Sequence, residues 1–315
     1  MARHMIRTAL AAFLATTPAI AASPDVVVSI KPLHSLVARI MDGVGTPALI
    51  VDGAASPHDF ALKPSQAAML ERADIVLRIG HGLETFLDKP LESLATGAIK
   101  VDLAETAGLV LLPPREGGAF EAHVHDDEGH GTEAGHDDAH AGEDELDSHI
   151  WLDPRNAGIM AGEIARLLAA ADPENATRYA GNAATLQSEL TALEAEVAIR
   201  LAQSRGRPFI VFHDAYHYFE NRFGLTAAGS ITINPEIAPG AARLSELVAK
   251  VKQTGARCVF SEPQFDPKLV AVIAGDSGVR TGVLDPLGAR VEPGPALYGT
   301  VIRSLAEAMA MCLAP

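Results

Sequence analysis

Histidines are the residues whose number and distribution in this sequence most clearly allow chemistry. The chain has twelve of them among 315 residues. His4 lies near the start and five lie in an acidic stretch; the six others are His34, His58, His81, His149, His213 and His217. Few of these six are close together in sequence, so any site that they form has to be assembled by folding.

Three of the six share a setting. His58 follows a predicted strand, His149 lies at the edge of the acidic stretch, and His213 ends an apolar run. Ligands of α/β sheets bind at the carboxyl ends of the strands, and three imidazoles converging there would favour a borderline divalent ion such as Zn²⁺. Any one of these histidines alone would be interpreted as a hydrogen-bonded core or turn residue, so the prediction depends on all three.

Asp285 is the candidate for a fourth ligand. Tetrahedral zinc takes four ligands, and Asp285 follows a short apolar strand in Val-Leu-Asp-Pro-Leu-Gly. Two alternatives stay open from the residues alone. The carboxylate could instead cap a backbone segment as an N-cap residue does, and a water molecule could complete the site.

The remaining histidines are not expected to be direct ligands. His213 and His217 are four residues apart and are predicted to share a helix face. The metalloprotease motif HExxH is absent because position 214 is Asp, which removes its usual general base. We interpret His217 as a secondary or surface residue, while His34 and His81 could line a cleft.

An acidic insert occupies residues 115–148. From Glu116 to Asp147 there are twelve Asp or Glu and no Lys or Arg, with five interspersed histidines: His123, His125, His130, His136 and His140. Apolar side chains are too few to offset the entropy of ordering, so the segment is predicted to be a mobile loop. It could be a solvated insert without function. We favour a weak metal collector, because its negative field raises the local cation concentration.

Short apolar runs alternate with helical patterns on both sides of this insert. Strands are predicted at 26–30, 47–51, 75–79, 209–212 and 258–260, with helices at 32–41, 64–72, 244–253 and 302–311. Such alternation predicts parallel sheets with βαβ connections.

One long helix is predicted between these two parts of the chain. Asp172 would be its N-cap and Pro173 its first residue, and about 30 helical residues would span roughly 45 Å. A helix of that length suits a rigid strut between two lobes, so we predict an α/β fold of two lobes with parallel βα sheets. The predicted boundaries are 1–22 for a signal peptide, 23–173 for the N-terminal lobe, 174–205 for the linking helix and 206–315 for the C-terminal lobe.

The N-terminal segment indicates an exported protein, and export affects the interpretation of the two cysteines. Arg3 and Arg7 precede an apolar run and a small-residue cleavage pattern, which together are typical of a secretory signal peptide. A membrane anchor is the weaker alternative, because no apolar run reaches the roughly 20 residues needed to span a bilayer. In an oxidising compartment Cys258 and Cys312 would form a disulfide, with a thiol metal site as the less favoured alternative. The net charge of −15 argues against nucleic acid.

Several motifs together give the sequence a family resemblance. They are SIKPLHSLVA (29–38), GAASPHDFALKPSQ (53–66), HIWLDP (149–154), VFHDAYHYFENRFGL (211–225), NPEIAPGAARL (234–244), CVFSEPQFDP (258–267) and LDPLG (284–288). The chain resembles the solute-binding proteins of zinc and manganese ABC importers, and most closely their zinc-specific, ZnuA-type group.

The resemblance implies a metal site in the cleft between two lobes, with His58, His149 and His213 as ligands of Zn²⁺. It also implies that Asp285 supplies a carboxylate, and that Cys258 and Cys312 form a disulfide. Some zinc-specific relatives have a metal-binding Glu just before the first ligand; here that residue is Pro57, so the fourth ligand is Asp285 or water.

The function expected from this resemblance is capture without catalysis. A monomeric periplasmic protein would bind Zn²⁺ and deliver it to a membrane permease that an ATPase drives. A zinc hydrolase or hydratase with a three-histidine site is one alternative, and it lacks an evident general base beside the ligands. A periplasmic zinc store or a metal-dependent adhesin is another, and a store would bind many ions with similar weak affinity.

Overall fold

The computed structural model describes residues 23–115, 120, 146–232 and 240–314. The predicted signal peptide lies outside the described residues. So do the five histidines of the acidic insert and the Asn-Pro-Glu-Ile motif at 234–237.

Two parallel sheets of four strands each form the centre of the described structure. The strands of the first sheet are β1 (Val26–Ile30), β2 (Ala48–Val51), β3 (Ile75–Arg78) and β4 (Ile99–Asp102). Those of the second are β5 (Phe209–His213), β6 (Ala227–Thr232), β7 (Cys258–Ser261) and β8 (Arg280–Val283). Central strands β1 and β5 are buried along their whole length, as expected for strands covered on both faces.

Both sheets have the same topology. Their strand orders are β2-β1-β3-β4 and β6-β5-β7-β8, and every pair is parallel. The chain passes from β1 to β2 on one side and then crosses back to β3 on the other side of β1. The path from β5 through β6 to β7 does the same in the second sheet. Ligands of such sheets bind where the direction reverses, beyond the carboxyl ends of the strands. This topology confirms the predicted α/β fold of two parallel sheets.

Helices flank the sheets and connect their strands. In chain order they are α1 (Lys31–Ile40), α2 (Pro64–Arg72), α3 (Asp88–Ser93), α4 (Pro154–Ala171), α5 (Ala176–Leu201), α6 (His217–Phe223), α7 (Ala241–Thr254), α8 (Lys268–Ser277) and α9 (Leu297–Cys312). In the described part of the chain, no helix is both long and apolar enough to span a bilayer.

The predicted long helix is present, with 3₁₀ turns at both ends. α5 is preceded by the turn Pro173–Asn175 and followed by the turn Ala202–Ser204. Asp172 occupies the predicted N-cap position before Pro173, without a side-chain capping bond. Its Oδ2 instead accepts hydrogen bonds from Asn175 Nδ2 and the Tyr179 hydroxyl at 2.8 Å each. α5 packs against α1, α4 and α9 through buried apolar residues: Ala183, Leu186, Leu190, Leu193, Val197 and Leu201. The connection between the sheets is therefore braced by three helices.

A disulfide links Cys258, the first residue of β7, to Cys312, the last residue of α9. The predicted disulfide is thus confirmed, and neither thiol is left for a metal site. The bond ties the C-terminal helix to the second sheet.

Candidate metal centre

Three histidine side chains from distant parts of the chain meet at one point. His58 lies in the loop after β2, His149 directly precedes a 3₁₀ turn at Ile150–Leu152, and His213 is the last residue of β5. Candidate ligand nitrogens of the three rings all lie within 4.8 Å of one another. They are the one group of three or more metal-ligating side chains found this close together among the described residues.

Buried carboxylates fix the orientation of two of the rings. Asp147 Oδ1 accepts hydrogen bonds from His149 Nδ1 at 2.7 Å and from the His149 backbone N–H at 2.9 Å. Glu262 Oε1 accepts a hydrogen bond from His213 Nδ1 at 2.7 Å. Because Nδ1 is the donor in each ring, the lone pair of each neutral imidazole is on Nε2. A carboxylate behind a histidine ligand is the usual way to set its tautomer and raise its basicity.

The Nε2 atoms of His149 and His213 are 3.3 Å apart. When both Nε2 atoms are unprotonated, their lone pairs face each other at that distance and repel unless a cation lies between them. Zn–N bonds of about 2.0–2.1 Å at a tetrahedral angle separate two ligand nitrogens by roughly 3.3–3.4 Å. The spacing in the structure therefore fits two ligands of a single tetrahedral zinc ion.

His58 completes the triangle from the first half of the chain. Its ring centroid is 5.4 Å from that of His149 and 5.7 Å from that of His213. Its backbone N–H donates to Ser56 Oγ at 3.3 Å, and within the described ranges no carboxylate is hydrogen-bonded to its ring. Of the three rings, His58 is the least restrained.

Burial controls the protonation of the cluster. It holds the pKa values of His58 and His149 well below their usual range, and the neighbouring imidazoles lower them further. Burial also lowers the pKa of His213, but the nearby carboxylates, Glu262 foremost with Asp214 and Asp147, together raise it by more, so the net shift is upward. Desolvation raises the pKa of Asp147 to about 7. At neutral pH, His58 and His149 are therefore neutral and offer lone pairs to a metal ion.

The pocket around the cluster is largely apolar. Besides the three histidines and Glu262 it is lined by Ser56, Pro57, Trp151, Gln264, Phe265, Pro286 and Leu287. Trp151 is fully buried and its Nε1 donates to the Pro286 carbonyl oxygen at 3.0 Å. That hydrogen bond joins the segment after His149 to the loop after β8, so the wall of the pocket spans both halves of the chain.

Asp285 lies beside the pocket, and its carboxylate accepts hydrogen bonds from backbone N–H groups. Oδ1 accepts hydrogen bonds from the N–H of Gly288 at 2.9 Å and of Leu287 at 3.3 Å, and Oδ2 accepts one from Ala289 at 2.7 Å. Gln264 Nε2 also donates to Oδ1, at 3.3 Å. Asp285 is not among the residues of the histidine cluster, and in this structure it caps the turn that follows it. Its role as a fourth ligand stays a prediction.

The other three histidines that the structure describes lie outside the cluster. His34 is buried in α1, where its Nε2 bonds the Pro47 carbonyl oxygen at 3.0 Å. His81 is half-exposed, with Nδ1 2.7 Å from an Asp88 oxygen. The prediction that His213 and His217 share a helix face is wrong: β5 ends at His213 and α6 begins at His217. His217 instead places its Nδ1 3.9 Å from Asp147 Oδ2.

Sequence reasoning missed Asp147 and Glu262. A signal for Glu262 was available, since it directly follows β7 and therefore lies at the same sheet edge as His213, the end of the neighbouring strand. Asp147 had no such signal, because it is one of twelve acids in the insert from Glu116 to Asp147 and nothing in the sequence distinguishes it from the others.

The described structure combines a cluster of three histidines with two parallel α/β sheets that one long helix connects. This combination defines a metal-binding protein of the solute-binding class. The chain belongs to the ZnuA family, "Zinc-uptake complex component A periplasmic", whose model matches residues 26–312. The family resemblance inferred from the motifs is thereby confirmed.

Similar proteins agree in sequence and in structure. The chain is 51% identical over 304 residues to the high-affinity zinc uptake system protein ZnuA of Brucella abortus (strain 2308), covering 91% of each chain. It is 37% identical to the ZnuA of Yersinia pestis, covering 96% of this chain and 95% of that one. A crystal structure of ZnuA superposes with a TM-score of 0.76 at 26% identity, covering 93% of this chain and 100% of the other. A zinc-bound ZnuA deletion mutant gives 0.75 at 27% identity, covering 93% and 99%.

Replacing Glu262 with Gln is expected to weaken zinc binding by roughly 10–100-fold, the usual effect of removing a carboxylate behind a histidine ligand. The amide is less basic than the carboxylate, and when flipped it would favour the wrong tautomer of His213. Asp147→Asn is expected to act in the same way on His149. Competition with a fluorescent zinc chelator measures the change, with Glu196→Gln at an exposed ion pair as the matched control. Equal affinities for Glu262→Gln and the control would show that the carboxylate does not tune the ligand.

Proposed function

We propose that this protein captures Zn²⁺ in the periplasm and delivers it to the membrane permease of an ABC importer. The observation that supports this most directly is the 3.3 Å separation of two imidazole nitrogens, which suits a tetrahedral zinc ion. We assign His58, His149 and His213 as ligands. Asp285 would be the fourth if its carboxylate leaves the backbone of residues 287–289, and water would be the fourth if it does not.

Capture rather than catalysis fits the groups around the site. A zinc hydrolase needs a general base beside the metal-bound water. Asp147 and Glu262 each accept a hydrogen bond from the Nδ1 of a proposed ligand histidine through one carboxylate oxygen. Because both carboxylates are engaged in orienting ligands, we propose that the protein is not an enzyme.

The brace around α5 suggests how zinc is released. Three helices pack on α5, so in this proposal the lobes 23–173 and 206–315 move little about the linking helix 174–205. Release then depends on movement of loops at the site, induced by the permease. His58 is the ligand with the fewest restraints. A cleaved signal peptide at 1–22 would place the protein in the periplasm, where we expect a monomer.

Calorimetric titration with Zn²⁺ tests the function. The protein comprising residues 23–315 is compared with a version lacking residues 116–145, which keeps Asp147 and its bonds to His149. We expect one tight site in both proteins, with any weak additional binding lost in the deletion variant. Loss of the tight site with the insert would place zinc binding in the insert and favour storage. Many equal weak sites would also contradict an importer component.

A further inference from the structure

The base of the acidic insert, residues 112–115 and 146–149, is fastened to α6 in the second half of the chain. Leu112 and Asp147 pair through a backbone hydrogen bond of 2.9 Å. The buried Tyr218 hydroxyl accepts a hydrogen bond from the Leu112 N–H at 3.0 Å and donates one to the Asp147 carbonyl oxygen at 2.8 Å. A single hydroxyl of α6 therefore joins both segments of the base.

Arg115 makes a second connection across the same junction. Its guanidinium binds both oxygens of Asp214 and both oxygens of Glu220, with Nε–Oδ2 at 3.0 Å and Nη1–Oε2 at 2.8 Å. The arginine side chain is 15% exposed, and those of Asp214 and Glu220 are 13% and 2% exposed. The guanidinium also lies over the Phe120 ring, 4.3 Å from its centroid. One part-buried cation is thus shared by a part-buried carboxylate, Asp214, and a buried one, Glu220.

These contacts involve residues that orient a proposed metal ligand or lie next to one in the chain. Asp147, whose carbonyl is bound by Tyr218, orients His149 through its carboxylate. Asp214 directly follows His213 in the chain, and its partner Arg115 belongs to the base that leads to His149. The positions of the two facing Nε2 atoms therefore depend on a connection to which neither histidine contributes.

We propose that Arg115 and Tyr218 form a clasp, a pair of positioning residues that keeps His149 and His213 at the spacing zinc requires and so slows zinc release. The proposal rests on the zinc-capturing function proposed above. Preorganised ligands lose less freedom on binding. Removing the arginine leaves Asp214 and Glu220, which both lie on the His213 side of the junction, without their counter-charge. It also breaks the ion pairs that tie the segment leading to His149 to that side.

Zinc dissociation from the 23–315 protein tests the clasp, measured by stopped-flow mixing with an excess chelator. Arg115→Gln is expected to release zinc roughly 10–100-fold faster, the range found when outer groups of a metal site are lost. The control is Arg222→Gln. Arg222 lies on α6, is 18% exposed, and binds the 3% exposed Asp153 at 2.7 Å, but Asp153 is not hydrogen-bonded to a ligand histidine. We expect its release rate to stay within about threefold of that of the unaltered protein, well below the roughly 10–100-fold effect of losing a group that supports a ligand.

Cobalt absorption separates positioning from loss of stability. In the Arg115→Gln protein the visible bands of bound Co²⁺ are expected to shift in position and intensity, because the ligand geometry changes. They should stay unchanged in Arg222→Gln. Equal zinc release and equal spectra for the two variants would overturn the clasp.

A second pair of variants covers the case in which Arg115→Gln does not fold. Tyr218→Phe removes one hydroxyl and is expected to accelerate release by several-fold, whereas Tyr179→Phe, which loses a hydroxyl bonded to Asp172, should not. Equal release from these two would also overturn the clasp. Fast release from the unaltered protein itself would instead contradict the proposed function.

Discussion

Replacing His213 with Ala is expected to weaken zinc binding by about 10²–10³-fold. Four-ligand zinc sites bind with roughly 10–16 kcal/mol, so each ligand contributes on the order of 3–4 kcal/mol. His213 is buried and Glu262 accepts a hydrogen bond from its Nδ1, and alanine removes the Nε2 atom that faces His149. His149→Ala should have a similar effect. Chelator competition at fixed pH measures both affinities.

The matched control is His81→Ala, which removes a half-exposed histidine that also pairs with a carboxylate, Asp88. Its zinc affinity should equal that of the unaltered protein. His58→Ala is expected to weaken binding less than His213→Ala, because the His58 ring has no carboxylate that raises its basicity. Unchanged tight binding in His213→Ala would exclude the three-histidine site as the place where zinc binds.

Removing the disulfide by the double substitution Cys258→Ala and Cys312→Ala is expected to lower the free energy of unfolding by about 4 kcal/mol. The two cysteines are 54 residues apart in sequence, and closing a loop of that length restricts the unfolded chain by about this amount in the chain-entropy model. For a protein of this size the change corresponds to a Tm lower by roughly 6–7 °C. Thermal and urea unfolding measure it.

A reducing agent should reproduce the effect of the double substitution in the unaltered protein and have none in the variant. Zinc affinity at 25 °C should be retained, since Cys258 begins β7 whereas Glu262 follows the other end of that strand. Identical unfolding curves with and without reductant would show that the disulfide does not stabilise the folded chain.

The architecture and the candidate ligand residues were both predictable from the sequence. Continuous runs such as Val26–Ile30 are long enough for a buried strand and too short for a helix, so the alternation of strands and helices was predictable. Ligands of such sheets bind beyond the carboxyl ends of parallel strands, so the positions of His58 after β2 and of His213 at the end of β5 made both candidates. The two strands belong to different sheets, so their convergence follows from the packing of the two sheets. The number of cysteines and the apolar leader were sufficient to predict the disulfide, because two lone cysteines in an exported chain have one available partner each.

The groups that orient the candidate ligands, by contrast, are set by tertiary contacts. Glu262 lies 49 residues from His213 in sequence, and Arg115 lies 99 residues from Asp214, so neither contact leaves a local pattern. Asp285 shows the same limit: its position after a strand suits a ligand and a backbone cap equally, and the fold alone set which atoms its oxygens meet. The spacing of residues within a helix or strand indicates which face of it a residue occupies. The partner that reaches that face is selected by packing between elements far apart in the chain.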